Sequence, residues 1–411
     1  MEPSQPNNVQ KDHEERVNRF DSDIKKGKEQ FFPEFEDASD DSRKHRPKHS
    51  KSNANQHIIS QIEEYPSEKR PFGPFVVNTL QVSHLIRSEG FLAGSVVYNE
   101  NHNLILGCYM DGSLQFYDAT TLLPVEGVSL EKLEGPCTIM SYWPETETYV
   151  LGCLFGYVYI LNLSSKILQK VQEIPNNIWT MAFINSKLVA FAGQQSQKLY
   201  VGNLENGDLL HFDLGDNDAW DLLCLPNKNL LFSSLANGCV QVYRTDQFPR
   251  LPMLNCFRGF DSDGDSFWRS IQNVTINGKD YIIIAGGNEK KIRILHLSKG
   301  KMKLIKVIPS EDKVYRMVYL ENYKILATTH QMHFIRFYSL PSGKLESVLD
   351  LGMEMCRSIF LMKDKNCLGV VHFKGDMIKI IQLHDRDVEE NEKIIKSTNQ
   401  RIIYIFMICE Q

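Results

Sequence analysis

The chain has 411 residues, of which 42% are hydrophobic and 24% are charged, and its formal net charge is −5. This composition is typical of a water-soluble globular protein with enough apolar residues for a large core. The small net charge provides no general field that would attract nucleic acid or an anionic membrane, so we expect neither as a general partner.

The first residues contain no apolar core of a secretory signal, and the longest apolar run, Ile402–Cys409, is too short to cross a bilayer. We therefore predict a cytoplasmic protein without integral membrane contact. Nine cysteines occur without a Cys-x-x-Cys pair, and Cys108, Cys153, Cys224 and Cys239 lie inside apolar runs. This pattern favours reduced core thiols over disulfides or metal ligands.

Residues 1–70 are rich in Asp, Glu, Lys, Ser, Asn and Pro, and this composition predicts a disordered charged tail. An acidic stretch, Glu34–Asp41, is followed by a basic cluster, Arg43–Lys51. Because these charges nearly cancel, we interpret the segment as a solvated tail, with nuclear import through the basic cluster as the alternative. Residues 71–90 form a linker that contains a candidate strand, Phe75–Leu80.

From residue 91 to residue 384 the sequence consists of short β-branched and aromatic runs separated by Gly, Asn and Asp turns, which predicts strands throughout. A strand with the order apolar, any, apolar, large apolar, polar occurs seven times. The seven copies are Leu114–Asp118, Val158–Asn162, Leu199–Asn203, Val240–Arg244, Ile292–His296, Ile335–Ser339 and Ile378–Gln382.

The fourth positions of these copies are separated by 44, 41, 41, 52, 43 and 43 residues. This period suits one four-stranded blade per repeat, and turns such as Asp111-Gly112 supply the positive φ that tight hairpins need. The sequence therefore predicts an all-β fold, a seven-bladed β-propeller of four-stranded antiparallel blades.

The hairpin Leu104–Asp118 resembles the WD-repeat family, with Tyr117-Asp118 where the family has Trp-Asp. The resemblance extends over about three quarters of the chain, and it implies a non-enzymatic ring that binds other proteins. No blade contains the family's Gly-His dipeptide, so we do not expect its His-centred hydrogen-bond network. Apolar packing between neighbouring blades should hold the ring together instead.

A propeller ring must be closed, because an open blade would expose strand edges. Two segments could complete the seventh blade: Phe75–Leu80, or Ile402–Ile408 within a C-terminal charged linker and terminal strand at residues 385–411. We favour the first, which ties the two ends of the ring together.

Two sets of side chains recur at the starts of the innermost strands of blades three to seven. One set is Trp179, Trp220, Trp268 and Tyr315. The other set is Thr180, Asp221, Arg269, Arg316 and Arg357. Because side chains alternate along a strand, we expect the first set to face a neighbouring blade and the second to lie near the mouth of the central channel.

Arg269, Arg316 and Arg357 predict an arc of positive charge that could hold an acidic or phosphorylated peptide. The alternative is that the arc is neutralised internally, since each arginine follows a carboxylate in its own connection. These carboxylates are Asp265, Asp312 and Glu354. The aromatic set has two interpretations as well, packing between blades or anchoring of a partner.

The step of 52 residues predicts an insertion, Asn255–Ser266, between blades four and five. Its Asp261–Asp265 segment has the spacing of a calcium loop, but Gln272 stands where an EF-hand loop has its bidentate Glu, so we predict no metal there. His330 and His333 bracket a turn, and we interpret them as a polar hairpin tip rather than as a metal site.

The same insertion contains Phe257-Arg258-Gly259, which resembles the Phe-Arg-Arg-Gly signature of phosphoinositide-binding propellers but lacks one arginine. Arg258 is therefore an alternative lipid-binding residue. We find no nucleophile elbow, phosphate-binding loop, His-Glu-x-x-His pair or kinase signature, so we predict no catalytic residue and no cofactor.

These observations predict a non-enzymatic protein–protein interaction scaffold that uses the rim and channel mouth of a WD-repeat-like propeller to hold partner proteins or peptides. Two alternatives remain, a propeller enzyme of the lactonase or hydrolase kind and a phosphoinositide-binding propeller.

Overall fold

The structure is a computed structural model that describes residues 76–81, 92–109, 111–125, 130–193, 196–215, 217–258, 268–286, 290–331, 333–352, 356–372 and 377–383. All of them belong to the unit Glu68–Gln411. The predicted tail at residues 1–70 and the predicted C-terminal segment at residues 385–411 lie outside the described residues.

Short strands account for nearly all the regular structure, as the β-branched and aromatic runs predict. The strands are β1 (Val76–Gln81), β2 (Leu92–Asn99), β3 (Leu104–Tyr109), β4 (Leu114–Asp118), β5 (Cys137–Trp143), β6 (Thr148–Cys153), β7 (Tyr157–Asn162), β8 (Ile167–Glu173), β9 (Thr180–Phe183), β10 (Leu188–Ala192), β11 (Lys198–Asn203), β12 (Leu209–Asp213), β13 (Ala219–Leu225), β14 (Leu230–Leu235), β15 (Val240–Arg244), β16 (Met253–Phe257), β17 (Trp268–Ile276), β18 (Lys279–Gly286), β19 (Lys291–Ser298), β20 (Lys301–Pro309), β21 (Val314–Leu320), β22 (Ile325–His330), β23 (Phe334–Ser339), β24 (Lys344–Asp350), β25 (Cys356–Met362), β26 (Cys367–His372) and β27 (Met377–Gln382). Two 3-10 turns, Pro226–Lys228 and Glu321–Tyr323, follow β13 and β21.

These strands form seven antiparallel sheets, which confirms the predicted seven-bladed β-propeller. Blades two to six contain β5–β8, β9–β12, β13–β16, β17–β20 and β21–β24, each in sequence order from the innermost to the outermost strand. Blade one has β2, β3 and β4, and Pro124 forms a single bridge to Tyr117 where a fourth strand would lie.

Blade seven is completed by the N-terminal strand. β1 pairs antiparallel with β27, from Val76 opposite Gln382 to Gln81 opposite Met377. The innermost strands of successive blades also contact one another, and β25 of blade seven contacts β2 of blade one. The ring is therefore closed by the segment that we favoured from the sequence.

Apolar packing between adjacent blades provides the core. The described residues form seven buried clusters, one for each pair of neighbouring blades, including the pair formed by blades seven and one. Every residue of β6, β14 and β22 is buried, because these strands are covered by a neighbouring blade on each face. A fully buried Leu, Ile or Phe stabilises a fold by about 1.5–3 kcal/mol, so the clusters account for the cohesion that we predicted.

Blade six nevertheless contains a His-centred network, which the sequence analysis did not expect. His330 is fully buried at the end of β22, with Nε2 2.7 Å from Thr328 Oγ1 and Nδ1 3.4 Å from Ser310 Oγ. Burial, with a contribution from Arg336, lowers the pKa of His330 to about 3, so the imidazole is neutral. This histidine comes from the second strand and not from a Gly-His dipeptide, so the network is a different one from the family's network that we did not expect.

Candidate partner-binding surfaces

A β-bulge at the start of the innermost strand decides where the predicted site residues lie. In blades four to seven the strand pairing skips one residue at this point. The skipped residues are Trp220, Arg269, Tyr315 and Arg357. Arg269 and Arg357 therefore correspond to Trp220 and Tyr315, and the predicted alignment of three arginines at one position is wrong by one residue in blades five and seven.

Asp221 lies where four blades meet. Its Oδ1 accepts hydrogen bonds from Thr180 Oγ1 of blade three at 3.0 Å and from its neighbour Leu222 N–H at 3.1 Å. Its Oδ2 accepts from Ile271 N–H of blade five at 3.0 Å and from Arg316 Nη1 of blade six at 3.3 Å. A carboxylate that we predicted as a partner contact thus joins the blades to one another.

The contact between Asp221 and Ile271 belongs to a recurring arrangement. In three places a side chain near the start of the innermost strand of one blade accepts a hydrogen bond from a backbone N–H near the bulge of the next blade. The pairs, acceptor first, are Ser95 and Met140 (2.6 Å), Thr180 and Leu222 (3.0 Å), and Asp221 and Ile271 (3.0 Å). These bonds join consecutive blades and give backbone donors near the bulges a side-chain acceptor.

The charge of Arg316 is used inside the ring. A carboxylate beside its guanidinium is Asp221, and Asp312 Oδ1 accepts from Lys313 N–H at 2.7 Å. Burial raises the pKa of Asp221, although Arg316 acts in the opposite direction. Internal neutralisation, one of our two interpretations, therefore applies to Arg316 through Asp221, a carboxylate of another blade.

The aromatic set is half-buried where its side chains are described. Trp179, Trp220 and Tyr315 are each partly covered. Trp179 Nε1 is buried and has no hydrogen-bond partner among the described residues, and its ring edge lies 3.2 Å from where a Cβ on Gly193 would be. Packing within the ring of blades therefore covers part of each aromatic side chain and leaves the rest exposed. The side chains of Trp268, Arg269 and Arg357 and the carboxylates Asp265 and Glu354 lie outside the described part of the structure.

The predicted insertion begins later than we expected. Asn255, Cys256 and Phe257 belong to β16, the outer strand of blade four, and the longer connection at residues 245–252 accounts for part of the long step. The calcium-like segment Asp261–Asp265 lies outside the described residues. Arg258 is exposed and lies beside Cys256.

The predicted hairpin tip is only half right. His333 is partly exposed, with Nε2 3.6 Å from Asp350 Oδ1, but His330 is fully buried and the two histidines have different partners. Within the described residues no three His, Cys, Asp or Glu side chains are grouped as a metal site requires. No helix in the same residues is long and apolar enough to span a bilayer.

Exposed apolar side chains are concentrated on the outer strands of blades four, five and six, and we call this set the outer apolar surface. Its members are Met253 and Leu254 on β16, Leu304, Ile305 and Val307 on β20, and Leu345 and Val348 on β24. Their exposed fractions lie between 38% and 55%, although large apolar side chains are usually buried. The sequence analysis did not find this surface.

β20 lies at the centre of the outer apolar surface. It has nine residues, is the terminal strand of its sheet among the described residues, and carries Lys301, Lys303 and Lys306 between its apolar side chains. Neighbouring blades are in contact with it: β16 touches β20, and Lys306 Nζ donates to the Ser342 carbonyl of blade six. The surface therefore extends over three connected blades.

Comparison with known proteins supports the assignment of the fold but does not indicate a function. No family model and no curated protein matches the chain, so the WD-repeat resemblance stays a prediction. The fold itself is common, because 1667 chains of solved structures match it. One is the β-propeller domain of Cps50 (Swd1) from Myceliophteria thermophila, with a TM-score of 0.62, 11% identity, and coverage of 76% of this chain and 100% of that one. At this identity the likeness shows the fold alone.

Proposed function

We propose that this protein is a non-enzymatic scaffold that holds partner proteins, and that the outer apolar surface is its principal contact. The observation that carries the proposal is the concentration of seven exposed apolar side chains on three consecutive outer strands. Exposed apolar side chains concentrated on neighbouring strands are typical of protein interaction sites. The channel mouth is less suited, since Asp221 and Arg316 already serve contacts between blades.

The chemistry of β20 indicates the kind of partner. An outer strand edge can accept a further strand through main-chain hydrogen bonds, while side chains on alternate positions give specificity. Lys301, Lys303 and Lys306 would repel the same strand of a second copy of the chain, because like charges would lie opposite one another. They favour an extended partner segment in which acidic and apolar side chains alternate.

Binding of synthetic peptides to the full chain tests this proposal by fluorescence anisotropy. We expect a peptide of alternating Val and Glu to bind at least about tenfold more tightly than the matched peptide of Val and Lys. Leu304→Ser combined with Val307→Ser should weaken binding of the acidic peptide about tenfold and leave the melting temperature nearly unchanged.

A control variant is available on blade two. Ile167 is 60% exposed on the outer strand β8, so Ile167→Ser removes a comparable side chain outside the outer apolar surface. It should leave peptide binding unchanged. Equal affinity for the two peptides, or equal loss in the blade-two and blade-five variants, would refute the proposal.

A further inference from the structure

A pocket of about 610 Å³ lies between blades three and four, and its lining shares Met253 with the outer apolar surface. Its lining comes from β12 of blade three and from β15 and β16 of blade four, and it includes Cys239, Cys256 and Arg258. Volumes of this size are typical of small-molecule sites. Two thiols and one guanidinium in one accessible pocket form a chemically distinct group.

The strand register explains why these three side chains meet. Val240 pairs with Phe257 and Gln241 pairs with Cys256, so Cys239 and Cys256 lie on the same face of the sheet at diagonal positions. The two thiols and the Arg258 guanidinium lie close enough for each to influence the ionisation of the others. Cys239 is buried, whereas Cys256 is partly exposed.

The neighbouring charge favours reactive thiol chemistry. A guanidinium beside a thiol favours the thiolate, which is the nucleophilic form of cysteine. Contact with Cys256 raises the pKa of Arg258, so the guanidinium stays charged. Burial raises the pKa of the Cys239 thiol, and Arg258 acts in the opposite direction. Cys256 is the more exposed of the two thiols, so a hydroperoxide in the pocket reaches it first and Cys239 second.

We propose that Cys239 and Cys256, beside Arg258, form a peroxide-sensitive dithiol site in the pocket between blades three and four. The Cys256 thiolate attacks one oxygen of a hydroperoxide, so that an S–O bond forms, the O–O bond breaks and the leaving oxygen takes a proton. Cys239 then attacks the sulfur of the resulting sulfenic acid, so that an S–S bond forms and water leaves. The two thiols lose two electrons in total, and the hydroperoxide gains them.

Another group of cysteines in the same molecule provides an internal comparison. Cys108, Cys137 and Cys153 are all fully buried in the apolar cluster between blades one and two, and the Cys137 thiol lies beside the other two. Burial raises the pKa of the Cys137 thiol well above its usual value. If proximity of thiols were enough for reactivity, these three cysteines would react with peroxide. Our proposal requires exposure and a neighbouring guanidinium as well, so we expect them not to react.

The experiment treats the folded full chain with an equimolar amount of hydrogen peroxide and maps disulfides by non-reducing tryptic mass spectrometry. Trypsin places Cys239 in the peptide Asn229–Arg244 and Cys256 in the peptide Leu251–Arg258, with one cysteine in each. We expect these two peptides to become linked, the link to disappear with dithiothreitol, and Cys108, Cys137 and Cys153 to stay reduced.

Substitution of the guanidinium tests its role. Arg258→Gln should slow the loss of the two thiols about tenfold, and Arg258→Lys should slow it less. Arg250→Gln changes an exposed arginine of the preceding connection and serves as the control that should react at the parent rate. Absence of the link, equal oxidation of the buried group, or a parental rate in Arg258→Gln would overturn the proposal.

Discussion

The inner and outer ends of the blades use polar and apolar side chains in opposite ways. At the inner end, Thr180, Asp221 and Arg316 are paired across blades, so charged groups that look like a binding site in the sequence hold the ring together. At the outer end, Leu304 and Val307 are exposed although they are apolar. The type of a surface residue therefore indicates a binding site less well than its contacts do. A charged residue that is already paired within the ring is a poorer candidate than an apolar residue that is left exposed.

The largest effect that follows from this comparison is expected at Asp221. Asp221→Ala removes the acceptor of Thr180, Leu222 and Ile271 and leaves Arg316 without this carboxylate. We expect the free energy of unfolding, measured by urea denaturation, to fall by about 3 kcal/mol.

Two further variants make that result specific. Asp208→Ala changes an exposed aspartate in the turn between β11 and β12 and should cost less than about 0.5 kcal/mol. Arg316→Ala and the double variant Asp221→Ala with Arg316→Ala complete the comparison. The double variant should lose less free energy of unfolding than the sum of the two single losses, because both single variants remove the same contact. If Asp221→Ala lowers the free energy of unfolding no more than Asp208→Ala does, then the contacts of Asp221 do not hold the inner ends of the blades together.

A smaller effect is expected from His330 at acidic pH. Its folded-state pKa of about 3 lies below the value of about 6.5 in an unfolded chain, so below pH 6.5 the unfolded state binds the proton more readily. Stability is therefore fully present above about pH 6.5 and is lost as the pH falls toward 3. Between pH 7 and pH 4, we expect the parent to lose on the order of 2–3 kcal/mol more than His330→Gln.

The pH experiment has its own control in the same blade. His333 is partly exposed, so His333→Gln should keep the parental slope of stability against pH. If the free energy of unfolding of His330→Gln and of the parent depends on pH with the same slope, then His330 does not have the lowered pKa that keeps the buried imidazole neutral.

The repeat period was enough to predict the blades, and the need to close the ring was enough to favour Phe75–Leu80 as the closing strand. The position of the bulge was not predictable from spacing, which is why Arg357 was aligned with Arg316 and not with Tyr315. The pairing of Asp221 with Arg316 joins residues 95 positions apart, so no local pattern indicates it.

The outer apolar surface did leave a signal in the sequence. Leu304 and Ile305 are adjacent in β20, which breaks the alternation expected of a strand with one buried face, and the structure has a bulge at this point. The His330 network left a weaker one, because a single histidine at a strand end is compatible with a hairpin tip as well as with a buried site.

Hydrogen–deuterium exchange of the full chain, with and without the acidic Val and Glu peptide, tests the central claim most directly. An added strand would protect backbone amides along the edge of β20, so we expect slower exchange in Lys301–Pro309 and no change in β13 or β21. Protection confined to the starts of β13 and β21, around Trp220 and Arg316, would show instead that the channel mouth holds the partner.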